Sequence, residues 1–163
     1  MQLVKAWDAI QQVFTQAQAS TMHCSIASVN EQGQPHITPI GTVFLRDDQT
    51  GYFFDTYTKQ FAENVKYNPK VCVMAVNASK GFWLKSLVLG KFATQPAIRL
   101  YGEISELRVA KKEEIAAVQK RIRPLKWTKG SRLIWSNFTH VRDIHFTEYR
   151  PIKYPNMLPD ELE

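Results

Sequence analysis

Three strand-like runs packed between His23 and Asn77, joined by polar turns, constrain this chain more than any other feature. The stretch reads HCSIASVNEQGQPHITPIGTVFL and, from Asp47, DDQTGYFFDTYTKQFAENVKYNPKVCVMAVN. Asn30 to Gln34 and Asp47 to Gly51 are turn-rich and separate runs of Ile, Val, Thr and Phe, the signature of a β-meander. The third run ends in Asp55-Thr56-Tyr57-Thr58-Lys59, at the mouth of a helix predicted over Gln60 to Tyr67. A helix N-terminus offers unpaired N–H groups and the positive end of its dipole, and flanking hydroxyls with a Lys complete a phosphate seat. The junction points toward a phosphorylated cofactor.

The rest of the pattern extends this plan. Leu3, Trp7, Ile10, Phe14 and Ala17 recur at helical spacing, so the chain opens on an amphipathic helix. The first strand is read as Met22 to Val29 and the second as one run, His36 to Leu45. Pro39 lacks an N–H and Gly41 lacks a side chain, so this second strand should be bulged or lie at an edge there. Bare, irregular backbone at that point lets a flat ligand approach. Gly51 to Thr56 follows as a third strand. Val71 to Val76 is apolar at every position, which predicts a central strand covered on both faces. Residues 77–95 read as a long loop with a short helical turn around Phe82, Trp83 and Lys85. A strand from Ile98 to Ser105, a helix from Ala110 to Arg121 ended by Pro124, and a last strand from His140 to Tyr149 complete the set. Residues 1–150 form one predicted domain, and 151–163 a surface-bound or loose tail.

Bulk properties remove several classes. With 163 residues, 44% hydrophobic and 22% charged, the chain can bury a core and is not disordered. No apolar run is long enough to span a bilayer, and the N-terminal helix lacks a signal core, so cytoplasmic residence is expected. Cys24 and Cys72 sit among apolar strand neighbours and read as packed thiols. The four His are scattered without metal-ligand spacing, and Ser25 and Ser28 lack elbow glycines, so neither zinc nor nucleophilic chemistry is supported.

Taken in order, Ile26-Ala27-Ser28-Val29, Gly33-Gln34-Pro35-His36-Ile37-Thr38-Pro39, Phe53-Phe54-Asp55-Thr56, and Asn64 with Asn68-Pro69-Lys70-Val71 resemble the pyridoxamine 5′-phosphate oxidase-like family of FMN-binding split β-barrels. The resemblance covers roughly a third of the chain. It implies a mainly β fold, a split β-barrel with flanking helices, and FMN as cofactor. The phosphate would lie by Phe54, Asp55, Thr56, Thr58, Lys59 and Asn64, and the ring edge along Thr38, Pro39, Ile40, Gly41 and Thr42. Trp135 and Arg142 resemble the residues that close the pocket from a partner subunit, so the resemblance implies a homodimer with flavin sites at the subunit interface. The implied activity is a flavin-dependent oxidoreductase using a small-molecule substrate or electron donor, neither of which these residues name. F420 or haem on the same barrel is the nearest variant. Two departures bear on activity: Thr58-Lys59-Gln60-Phe61 carries one Lys where the family commonly has two positive charges, and Thr38 replaces a strand Arg. Both count against pyridoxamine phosphate oxidase activity itself.

A reading from another class uses the net charge of +6. Between Arg108 and Arg132 nine Lys or Arg face two Glu, with Trp127 among them. This segment, 108–132, suits a non-enzymatic binder of nucleic acid or another polyanion, although most aromatics fall inside strands and nucleic acid is the less expected partner.

Overall fold

Asn30 organises the first hairpin. Its side-chain Oδ1 accepts from the backbone N–H groups of Gln32 at 3.1 Å and Gln34 at 2.8 Å. Gly33 supplies the left-handed backbone the turn requires, with φ 79°. The computed structural model describes residues 3–56 and 58–158. Its strands are β1 Cys24–Val29, β2 Pro35–Ile40, β3 Phe44–Leu45, β4 Thr50–Phe54, β5 Lys70–Val76, β6 Ala97–Val109 and β7 His140–Pro151. They form one seven-stranded sheet in the order β2-β1-β5-β6-β7-β4-β3, antiparallel at every pairing. Helices α1 Trp7–Thr21, α2 Lys59–Tyr67, α3 Lys80–Leu89, α4 Lys112–Ile122 and α5 Lys129–Ile134 flank it.

This order forces the sheet to curl. β2 and β3 occupy opposite edges, yet only Gly41, Thr42 and Val43 join them. Four residue steps reach at most ~14 Å. Seven strands laid flat would put those edges ~29 Å apart. The sheet is therefore a split β-barrel, its two edges held together by a short covalent connection. At that connection a Cβ on Gly41 would stand 2.9 Å from the carbonyl oxygen of Met22, so glycine is required there.

Helix α1 lays Trp7, Ile10, Val13, Phe14 and Ala17 into the main core, against Ile26, Val73, Ile98, Leu100 and Ile144. Full burial of each large apolar side chain contributes roughly 1.5–3 kcal/mol. The indole N–H of Trp7 donates to the Arg46 carbonyl at 2.7 Å, which fixes the helix against the turn after β3. A second, smaller cluster joins Val118 of α4 to Tyr52, Phe54 and Val141.

Several sequence expectations change. The run His36 to Leu45 is two strands with different partners, separated at Gly41, where the backbone passes too close to the Met22 carbonyl for any Cβ to fit. β6, not β5, is the middle strand, and β5 alternates: Val71, Val73 and Ala75 are buried while Cys72 and Met74 are half-buried. Residues 77–95 contain a ten-residue helix, α3. The Ser79 hydroxyl accepts from the Phe82 N–H at its start, and Gly90 with φ 67° ends it. Phe82 and Trp83 pack on Phe92, while Leu84, Leu87, Val88 and Leu89 are exposed. The first part of the tail is docked: Ile152 N–H donates to the Ala97 carbonyl, and the Tyr154 ring meets Trp83 and Phe92. Helix α5, capped by the Thr128 hydroxyl, was hidden in a run read only for its charge.

Both cysteines are free; burial pushes the Cys24 thiol up to about 12, consistent with a packed and unreactive group. Among the described residues no group of His, Cys, Asp and Glu is placed to hold a metal ion. No helix among them is long and apolar enough to cross a membrane.

Candidate functional site

The break between β2 and β3 opens a cavity of about 280 Å³. Pro39, Ile40, Gly41 and Thr42 line it from the break, Phe54, Thr56 and Thr58 from the end of β4, and Ile134, Trp135 and Phe138 from the segment after α5 begins. These include most of the residues expected at a cofactor site, drawn from three separate parts of the chain. Thr42 ties two of those parts together: its hydroxyl accepts from the Phe54 N–H at 3.2 Å.

Beside the cavity, α2 begins without a side-chain cap. Thr58 occupies the N-cap position, but its hydroxyl donates to Asp55 Oδ1 instead of accepting from the first turn. Asp55 is itself held by Arg142, whose Nε donates to Oδ2 at 2.6 Å. The two charged side chains are only 8% and 10% exposed, so each neutralises the other away from water. The first N–H groups of α2 thus lack an intramolecular side-chain acceptor, and the nearest carboxylate is already paired.

The other expected residues divide. Lys59 is exposed on the first turn of α2. Asn64 points into the protein: its Nδ2 donates to Ser28 Oγ at 3.0 Å and its Oδ1 accepts from Gln60 at 2.9 Å. Thr38 is half-buried on β2 and does not line the cavity. Trp135 lines the cavity from its own chain, and Arg142 is engaged with Asp55 of its own chain. Ile134 and Phe138 were not anticipated. The Thr128 cap and the apolar Ile134-Trp135 pair were the available signals.

The basic segment also divides. Arg108 pairs with Asp143 and Glu114. Arg121 donates through Nη1 to the Val43 carbonyl at 2.6 Å and the Gly41 carbonyl at 3.2 Å, with its guanidinium 3.6 Å from the Phe44 ring centre. It thereby holds the backbone of the break. Lys120, Arg123, Lys126, Trp127 and Lys129 stay exposed.

Comparison with known proteins follows the geometry. No curated protein sequence matches the chain. An FMN-binding protein from Syntrophomonas wolfei subsp. wolfei has a similar structure, with TM-score 0.60 and 14% identity over 91% of this chain and 92% of its own. HutZ, the haem storage protein from Vibrio cholerae, gives TM-score 0.54 and 11% identity over 88% and 92%. An F420 reductase gives TM-score 0.52 and 14% identity over 82% and 94%. At such identities the likeness is one of fold. The family model for pyridoxamine 5′-phosphate oxidase matches residues 7–145, which takes in most of the barrel, up to the middle of β7, and all the residues that line the cavity. This chain belongs to the pyridoxamine 5′-phosphate oxidase family.

Proposed function

We propose that this protein binds FMN and acts as a flavin-dependent oxidoreductase on a small molecule. The cavity at the β2–β3 break, bordered by the uncapped start of α2, is the observation that carries the reading. Its donor set suits the cofactor. The Thr56 hydroxyl, the first amides of α2 and the exposed Lys59 favour a phosphate, and Pro39, Ile40, Phe54, Trp135 and Phe138 offer apolar walls to a flat ring. Asp55 would repel an anion if free, and Arg142 cancels that charge.

When bound, FMN supplies hydride or electron transfer. The chain's own task is to orient the ring along Pro39 to Thr42 and to keep water from one face. As in the family pattern, a second copy is proposed to complete each site, with Trp135 and Arg142 near the boundary. Light scattering that returns 18.8 kDa across concentrations would reject the dimer.

The deciding experiment is a visible spectrum of the purified protein with and without FMN, followed by anaerobic reduction with NADH or NADPH. Flavin absorbance or micromolar FMN binding, then reduction and faster reoxidation than free FMN, is the expected result. No binding sinks the proposal, and bands of haem or F420 in its place would redirect it to those ligands. The exposed cations near Trp127 keep one rival in view. Salt-dependent oligonucleotide binding by flavin-free protein would support a polyanion binder.

A further inference from the structure

Gln18 places an unmatched buried donor, and Arg121 a partly solvent-open guanidinium, on a second cavity next to the first. This cavity of about 270 Å³ runs between α1 and the end of α4 and shares Gly41, Thr42 and Trp135 with the proposed flavin site. Gln18 lines it while being only 5% exposed, and its side-chain Nε2 has no hydrogen-bond partner. Of the four buried side-chain atoms so stranded among the described residues, this one lies on the wall of this cavity. A buried amide donor without an acceptor is unfavourable, and such groups call for a ligand or another explanation.

Arg121 stands on the same wall system. Arg46, Arg108, Arg142 and Arg150 each reach a carboxylate within 2.8 Å. Arg121, like Arg99, Arg123 and Arg132, has no carboxylate partner among the described residues; it holds the carbonyls of Val43 and Gly41 and the face of Phe44. Those contacts use Nη1 and the ring face; among the described residues Nε and Nη2 have no protein acceptor, and the exposed side chain leaves them open to solvent or to a ligand at the cavity mouth. The remaining walls are mostly apolar, with Met22, Ile122, Leu125 and Trp135 among them and Thr15 and Thr42 as the polar exceptions.

We infer that this cavity binds a small amphipathic monocarboxylate, its carboxylate on Arg121, an oxygen within reach of Gln18, and its apolar body along Ile122, Leu125 and Trp135. The charge balance selects the class. One guanidinium matches one carboxylate, whereas a phosphate dianion would leave a charge uncompensated beside Ile122, Leu125 and Trp135. The volume equals about nine water molecules at ~30 Å³ each, the size of a phenyl ring with a short acidic arm. Because the cavity adjoins the proposed flavin site, the ligand would lie next to the flavin; that placement rests on the flavin reading, while the binding itself does not.

Calorimetric titration of the full chain with phenylacetate, phenylacetamide and phenyl phosphate tests the inference, with flavin absorbance recorded on the same samples. Phenylacetate is expected to bind at least tenfold more tightly than the amide. Arg121→Met should abolish that preference and Arg121→Lys restore part of it. Gln18→Leu, which removes the stranded donor and keeps the bulk, should weaken phenylacetate about threefold while leaving the melting temperature unchanged or higher. Because Arg121 also holds the β2–β3 break, Arg121→Met is read together with a thermal melt, and Gln18→Leu keeps the test valid if that variant unfolds. Equal binding of acid and amide, tighter binding of phenyl phosphate, no phenylacetate binding at millimolar concentration, or acid preference unchanged in a folded Arg121→Met would overturn the inference. Carboxylate selectivity without any flavin binding would sink the flavin reading alone, and flavin binding without that selectivity would sink this inference alone.

Discussion

Arg108 grips Asp143 side-on, its Nε and Nη2 donating to Oδ2 at 2.6 Å and Oδ1 at 2.7 Å. The same guanidinium reaches both oxygens of Glu114, and Arg46 bridges the two carboxylates from the other side at 2.8 and 2.7 Å. Four charges thus lock the end of β3, β6, α4 and β7 together. Hydrogen bonds from Arg108 hold the Asp143 carboxyl down at about 2. Burial works against the Glu114 charge, but bonds from Arg108, the Lys111 N–H and Arg46 outweigh it and bring that carboxyl to about 2 as well.

Acid should therefore loosen the barrel in a defined window. Both carboxyls have folded values below the ordinary 4.5 and 3.8, so their contribution is complete above about pH 4.5 and fades as pH falls toward 2. The loss should be on the order of 2–3 kcal/mol for the coupled network. Melting temperatures taken from pH 6 down to pH 2 should show it, and Arg108→Met should flatten the acid limb. A melting temperature independent of pH over that range would refute the assignment.

Asp55→Ala should destabilise the protein by about 3–5 kcal/mol, because Arg142 would be left charged and unpaired in a nearly dry site. Urea unfolding measures this. The double variant Asp55→Ala with Arg142→Met should recover a good part of the loss, whereas additive losses would show that the two do not act as a pair.

Gly102→Ala should cost about 3 kcal/mol. A Cβ there would lie 2.3 Å from the His145 carbonyl oxygen, beside the register shift between β6 and β7, and backbone cannot move aside as a side chain can. Chemical denaturation of this variant near the wild-type midpoint would contradict the geometry.

FMN titration should separate Lys59 from Asn64. Lys59→Ala should weaken FMN about threefold, the size expected for one exposed charge at a helix start. Asn64→Leu should instead lower stability by about 1–3 kcal/mol, since Ser28 loses its buried partner. A larger effect of Asn64→Leu on affinity than on unfolding would place Asn64 at the phosphate after all.

The parts legible in the sequence are those set by neighbours along the chain. Asn30 and Gly33 specify their turn within five residues, and Thr56, Thr58 and Lys59 announce the start of α2 locally. Partners far apart were not legible. Nothing near Arg142 indicates that it meets Asp55, 87 positions away, or that Asn64 turns to Ser28, 36 positions away. The close approach of Gly41 to the Met22 carbonyl is likewise made only in the folded barrel. Helix α3 was obscured because its exposed Leu84, Leu87 and Val88 blur the one-sided apolar stripe that marks a surface helix.

Gly41, Thr42 and Val43 also govern how the molecule can come apart. In an open sheet either outer strand can fray alone. Here the two outer strands are consecutive pieces of one chain, so lifting β2 pulls on β3, and Arg121 clamps the piece between them. Amide hydrogens at both margins should consequently exchange with solvent in one concerted opening, and cutting the Arg121 clamp should let each margin breathe at its own rate.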